Sequence, residues 1–363
     1  MASLGSVSGL QLELPGLKSV IDRIDREVLS TALDSKVVAS EEEAIVRDAL
    51  PSDFGLSNEV WSVDLSGGTA NSFNNLYTPS ASDRKVVGIF GVALLESTRI
   101  SDIVRFQLGD NLVIDEVTLQ DIDTYNEGVK VKLLKEPIIY DKGETIKIKD
   151  YINTAGTAQV MMLARVCEAR GVSDVQGGDA PGPYFLGTVP GYAYTPAELA
   201  SIRSFADSIL IKKAVEQKIA PLAGDVVVRD VKPTDLGLSS EQWSKDLSGG
   251  TANSYNTLYN PSATDQKVFA FYGAAVAEST RISELLKFKV GDAKTKDIIS
   301  LAHADSQVIG DRAKIVVFKN LIVYNKNEEI KIEDYINATG TARVVLLGRV
   351  AEFRGTSEIR GKK

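Results

Sequence analysis

The chain has 363 residues, of which 44% are hydrophobic and 25% charged, and a net charge of −8. That is the balance of an ordinary globular protein long enough for two domains, and its acidity argues against a nucleic-acid-binding surface as its main business. A single cysteine, Cys167, excludes an intrachain disulfide and a multi-cysteine zinc cluster, and no window approaches 18 uninterrupted apolar residues, so no transmembrane segment is expected.

In chain order, residues 1–16 are small and polar, end on Pro15-Gly16 and read as a loose arm. They lack the basic start and apolar run of a secretory signal, so the chain is expected to be made and folded in the cytoplasm. From Leu17, apolar residues at Leu17, Val20, Ile21, Ile24 and Val28 predict one face of a helix. Its polar face mixes both charges, which suits packing on a core better than lying on a membrane. The turn-rich stretch Pro51-Ser-Asp-Phe-Gly-Leu-Ser57 leads to Trp61 and to the loop Asp64-Leu-Ser-Gly-Gly-Thr-Ala-Asn-Ser72. That loop returns letter for letter at Asp246 to Ser254, an offset of 182, and residues 61–102 match 243–284 at 28 of 42 positions. The match includes Trp61 with Trp243, and the run Glu96 to Ser101 with Glu278 to Ser283. An internal period of this length means one module written twice.

Strands are expected next. Lys85 to Leu95 is a near-continuous apolar run, the pattern of a strand buried on both faces. Val129, Val131 and Leu133 alternate with Lys130 and Lys132, and Ile146 and Ile148 with Lys147 and Lys149, the period of half-buried strands. Each copy closes on a long strand, Ala158 to Ala169 and Ala342 to Phe353, and 147–171 match 331–355 at 16 of 25 positions, now at an offset of 184. A two-residue insertion therefore falls in the middle, around 111–132 and 293–314. Residues 172–194, rich in Gly and Pro, read as a linker belonging to neither copy. Thr195-Pro196-Ala197-Glu198 then marks the start of the second copy's helix, and the tail 356–363 ends in Arg-Gly-Lys-Lys, read as solvated. The fold class expected is mainly β: two antiparallel β-sandwiches in tandem, over 17–171 and 195–355, each preceded by an amphipathic helix.

The chemistry-bearing residues support no catalytic, cofactor or metal site. The Ser-Gly-Gly-Thr loop has neither the lysine nor the following helix of a phosphate loop and reads as a structural turn. Asp121, Asp123, Asn126 and Gly128 have the wrong spacing for a calcium loop and read as acidic surface. His303 has no partners for a metal set, and Cys167, matched by Ala351, reads as a small core residue. The repeated pairs Glu96 with Arg99, Glu278 with Arg281, Glu168 with Arg170 and Glu352 with Arg354 read as ion pairs across strands or between subunits rather than general acids or bases. Glu96, Arg99, Glu278 and Arg281 are the candidate assembly interface. Trp61 and Trp243 are the candidate anchors of the duplicated loop.

The closing segments Glu136-Pro-Ile-Ile-Tyr140, Gly143-Glu-Thr-Ile-Lys-Ile148 and Leu163-Ala-Arg-Val-Cys-Glu-Ala-Arg-Gly171 recur as Asn320-Leu-Ile-Val-Tyr324 and Leu347-Gly-Arg-Val-Ala-Glu-Phe-Arg-Gly355. With the tandem layout, these regions, 85–171 and 267–355, resemble the jelly-roll capsid proteins of icosahedral viruses, particularly the double jelly-roll major capsid proteins of phages and archaeal viruses. The resemblance implies a non-enzymatic virion protein, partnered by itself as a trimer or larger and by other virion proteins. Three chains around a threefold axis would present six near-equivalent sandwiches. The alternative is a tandem carbohydrate-binding or adhesin-like module, which expects Phe73, Tyr255, Tyr77 and Tyr259 to form exposed aromatic platforms on loops.

Overall fold

The helical spacing near the N-terminus folds as α1 (Leu14–Asp34), which buries Leu17, Ile21, Ile24, Val28 and Ala32. The computed structural model describes residues 14–355 apart from 58, 80–81, 97, 111, 120–130, 172–174, 176, 178–184, 186, 188–193, 262–265, 302–307, 310–311 and 314. The acidic loop 121–128, His303 and the tail 356–363 lie outside them, as does most of the N-terminal arm. The helix begins at Leu14, so Pro15 and Gly16, read as the end of that arm, fall in its first turn. The chain divides into two compact units, 1–173 with 189–191 and 174–188 with 192–363.

Among the described residues, and beside a two-stranded ribbon of Val63–Asp64 with Thr157–Ala158, eight longer strands build the first unit: β1 (Ala44–Asp48), β2 (Ser72–Tyr77), β3 (Lys85–Leu94), β4 (Ser101–Leu108), β5 (Leu112–Thr118), β6 (Val131–Tyr140), β7 (Ile146–Ile152) and β8 (Val160–Ala169). They form two four-stranded antiparallel sheets, ordered β1-β8-β3-β6 and β2-β7-β4-β5. The second unit opens with α2 (Pro196–Glu216) and repeats the set as β9 (Val226–Asp230), β10 (Ser254–Tyr259), β11 (Lys267–Val276), β12 (Ser283–Val290), β13 (Lys294–Ser300), β14 (Val316–Tyr324), β15 (Ile330–Ile336) and β16 (Val344–Phe353). Its sheets run β9-β16-β11-β14 and β10-β15-β12-β13, the same order with every number raised by eight. Strands one, eight, three and six facing strands two, seven, four and five is the jelly-roll order, two Greek keys folded into a double sheet. The protein is therefore mainly β, with two tandem jelly-roll sandwiches each preceded by a helix.

The burial pattern explains the layers. β3 and β11 are buried along almost their whole length because the helix covers one face of their sheet and the second sheet covers the other. β7 instead alternates, with Ile146, Ile148, Asp150 and Ile152 inward and Lys147, Lys149 and Tyr151 half-buried. Close approach of helix to sheet is set by residue size. A Cβ on Gly88 of β3 would lie 2.5 Å from Val28 Cγ1 and 3.3 Å from Ile24 Cγ2. In the second unit that glycine is Ala270, and Ile24 is replaced by Ala206, so the volume has moved from helix to strand. The capping box expected for α2 is formed: Thr195 N donates to Glu198 Oε2 at 2.7 Å and Glu198 N to Thr195 Oγ1 at 3.3 Å.

Two readings need correction. Lys132, expected on the solvated side of an alternating strand, is buried and its ammonium donates to Thr118 O at 2.7 Å. Residues 172–194, expected as a linker belonging to neither copy, include described residues that group with the second unit. Val175, Phe185 and Tyr194 are buried, and the Phe185 ring meets Phe205 of α2 edge-on at 5.8 Å.

Candidate functional site

The duplicated loop is held by one asparagine. In the first unit Asn74 Oδ1 accepts from Thr69 N at 2.9 Å, while its Nδ2 donates to Thr69 O at 3.0 Å and Ser72 O at 2.9 Å. Asn256 does the same for Thr251 and Ser254. A Cβ on Gly68 would stand 2.8 Å from Asn74 Oδ1, and one on Gly250 2.5 Å from Asn256 Oδ1, so only glycine lets the amide lie against the turn. Just before the loop, the buried Trp61 packs on Phe54 and Tyr77, with ring centroids 5.3 and 5.8 Å away. Trp243 is half-buried and meets Tyr259 at 5.8 Å.

The repeated run Glu96 to Ser101 folds into a polar corner between the sheets. Leaving β3 for β4, the chain points its amides into the turn, and the buried Glu96 carboxylate accepts from Ile100 N (2.7 Å), Ser101 N (3.1 Å), Ser101 Oγ (2.5 Å) and Gln159 N (3.1 Å). Glu278 repeats this with Ile282 N, Ser283 N, Ser283 Oγ and Arg343 N at 2.6–3.1 Å. Ser101 Oγ also lies 2.5 Å from Asp150 Oδ2, and Ser283 Oγ 2.6 Å from Asp334 Oδ2. A hydroxyl has one proton to give. Glu96, which accepts from three backbone amides, takes it, so the second contact requires Asp150 to donate to Ser101 Oγ in its protonated form. The electrostatics agree: burial pushes the Asp150 carboxyl up, the charges of Glu96 and Asp102 add to it, and the Ser101 bond does not offset them, giving about 7. Burial likewise holds Asp334 well above the usual carboxylate range.

The structure thus brings Glu96 to Ser101 and Asp150 rather than to Arg99. Arg99 Nε lies 3.3 Å from Asp102 Oδ1, and Arg281 Nε donates to Ser283 O at 3.1 Å, with Glu284 3.9 Å away. Both arginines sit at the rim, about a third exposed, while the two glutamates hold the turn from inside. Ser101, Asp150, Ser283 and Asp334 have no exposed surface, so the corner meets no solute.

Of the residues in two further polar clusters, the sequence singles out only Glu168 and Glu352, expected beside Arg170 and Arg354 and found accepting from Arg47 and Arg229. Asp53, from the turn Pro51-Ser-Asp, receives Arg47 in bidentate fashion at 2.7 and 3.0 Å and Lys85 at 2.8 Å, while Arg47 Nε donates to Glu168 at 2.7 Å. Arg229, Asp235, Lys267 and Glu352 repeat the cluster at 2.6–3.0 Å. Burial alone would raise the Asp235 carboxyl, but Arg229, the Lys232 amide and Lys267 together hold it down at about 2; Asp53 is held lower still. The second cluster ties helix to sheet. Fully buried Arg165 pairs with Asp48 and, at 3.1 Å, with Asp25 of α1, and Arg349 joins Asp207 of α2 and Asp230 at 2.6 Å each. The signal lay in the duplication itself, since every one of these residues recurs at its offset.

The aromatic platforms of the alternative reading are altered. Tyr77 and Tyr259 lie in strands and are buried, their hydroxyls donating to Val160 O and Val344 O. Phe73 and Tyr255 are half-buried; Arg105 lies 3.6 Å above the first ring and Lys287 4.2 Å above the second. Among the described residues, no group of three or more His, Cys, Asp or Glu is placed to hold a metal ion, and no helix is long and apolar enough to cross a membrane.

No family model and no curated protein matches the chain. Similar solved structures include a chain from the atomic structure of Sulfolobus turreted icosahedral virus, 7% identical, covering 85% of this chain and 90% of that one at a TM-score of 0.21. Others are recombinant N-glycanase F (PNGase F), at 10% identity, 86% and 96% coverage and TM-score 0.18, and VP2 of infectious bursal disease virus in a subviral particle, at 12%, 79% and 60%, and 0.20. At these TM-scores the likenesses carry no argument about what the chain does.

Proposed function

We propose that the chain is a self-assembling structural protein, a virion capsid subunit made of two jelly-roll modules, with no catalytic role. One observation carries the reading: each half is a complete jelly roll in the same strand order, and each keeps the same polar corner, ion clusters and asparagine-braced loop. Jelly rolls serve as capsid, lectin and cupin domains, so the fold by itself does not choose. Two halves kept this alike suit near-equivalent positions in a repeating lattice. Three such chains around a threefold axis present six similar modules, with each contact occurring in a within-chain and a between-chain form. Arg99 and Arg281 form the charged rim of that seam, setting register more than affinity. Negative-stain microscopy of the purified protein tests the reading: shells, sheets or closed rings support it, and dispersed single molecules contradict it. The glycan-binding reading has Phe73 and Tyr255, each under a cation, in its favour; glycan binding by dispersed monomers would put it first.

A further inference from the structure

The two units differ along one edge. β13 is the outermost strand of its sheet, and it is covered: Val175, 2% exposed, pairs in parallel with Thr295, and Lys296, Asp297 and Ser300 are buried. β5 holds the same place in the first unit, with Val113 paired to Gln107 as Thr295 is to Lys289. There Val113 and Ile114, in the places of Thr295 and the buried Lys296, are each 43% exposed, and Leu112, in the place of the exposed Lys294, is 58% exposed. With Leu222 they are the exposed large hydrophobics among the described residues. A bare apolar edge is a template for strand addition.

The repeat itself says what fits. Val175 is reached four residues after Gly171, just past β8, through Gly171-Val-Ser-Asp-Val175. Past β16 the chain reads Gly355-Thr-Ser-Glu-Ile359, with glycine, serine, an acid and a β-branched residue in the same places. Val175, just after the first jelly roll, thus pairs with the outer strand of the unit after it. We propose that the segment 356–363, following the second jelly roll, seats in the same way on β5 of a second copy, with Ile359 opposite Val113. The proposal rests on the self-assembly reading and names its seam.

Charge supports this pairing over the reverse. Parallel addition carries Arg360, Lys362 and Lys363 along Asp115 and Glu116 of β5, a strand with no basic residue. The first segment, 172–180, carries Asp174 and Asp179 and no basic residue, and its Val175 pairs with a strand bearing Lys294 and Lys296. Exchanging the segments would set like charge beside like, so each edge selects its own occupant. Because segment and edge are different surfaces, the contact is heterologous and propagates from chain to chain until it closes.

Cysteine pairing tests the seam, in a Cys167→Ala background that copies Ala351 of the second unit. Val113→Cys protein mixed with Ile359→Cys protein should give a disulfide-linked pair of chains on mild oxidation, and the double variant a ladder of linked chains. Val175→Cys with Thr295→Cys should close within one chain, as the positive control. Truncation after Gly355 should raise the concentration for half-assembly by roughly tenfold or more, the loss expected from exposing one buried isoleucine alone, with the melting temperature unchanged. If the mixed variants do not link, or the truncated chain assembles like the full one, the seam is refuted while assembly stands. Closure of the double variant only within its own chain refutes it too. A full-length chain that never leaves the monomer refutes both the seam and the self-assembly reading.

Discussion

At the scale of single residues, the buried corner makes the protein's stability depend on pH in a defined direction. The Asp150 carboxyl is raised from an unfolded value of ~3.9 to about 7, so the folded state holds its proton more tightly. Its contribution is full below the unfolded value and is lost as pH rises through 7, and Asp334 acts in the same sense. Asparagine reproduces the protonated acid, since its amide can donate to the serine oxygen. The Asp150→Asn, Asp334→Asn protein should therefore melt higher than the parent at pH 8–9 and lose most of the parent's fall between pH 5 and 9; calorimetry would show each kcal/mol recovered as about 2–4 °C. Asp53 and Asp235 act at the other end, contributing stability that is lost as pH falls from about 4 toward and below 2. Trp61→Ala should cost about 3–5 kcal/mol by denaturant titration, and Trp243→Ala less, because its ring is only half-buried. The sequence marks Glu96 and Arg99 as important through their repetition. Repetition does not say which way a side chain faces, so the glutamate's inward role, and the dependence on Ser101 and Asp150, emerged only from the fold.

Among the elements, legibility followed periodicity. The apolar run at Lys85 became β3 and the alternation at Ile146 became β7, because burial on two faces or one leaves a direct mark on composition. The pattern misled at Lys132, whose long stem lies along apolar surface while its ammonium finds a carbonyl. It also misled at Val175, because Gly- and Pro-rich neighbours say nothing about pairing with an edge strand. The helix-to-sheet clamp was equally hidden, since Asp25, Asp48 and Arg165 are far apart in the chain. Arg165→Met should destabilise the first unit by about 3–5 kcal/mol in calorimetry, because it sets buried carboxylates beside an apolar side chain. Arg349→Met should cost the second unit less, as the Asp207 and Asp230 side chains remain 31% and 66% exposed.

For the whole molecule, the duplication was legible from the sequence at once, and the jelly-roll order in each half follows it strand for strand. The halves share their rim arginines and differ at the surface along one edge, bare at Val113 and Ile114 of β5 and covered at Lys296 of β13. Reversing charge with Arg281→Glu should weaken assembly more than the neutral Arg281→Gln does, since both lose the bond to Ser283 O and the pairing with Glu284 and only the first reverses the rim charge. The most direct test of the central claim is the solution mass of the full-length protein across a concentration series, by sedimentation or light scattering. The account expects a discrete species of three chains, or larger assemblies built from it, growing in with concentration. A single-chain mass that persists at the highest concentration reached would contradict it.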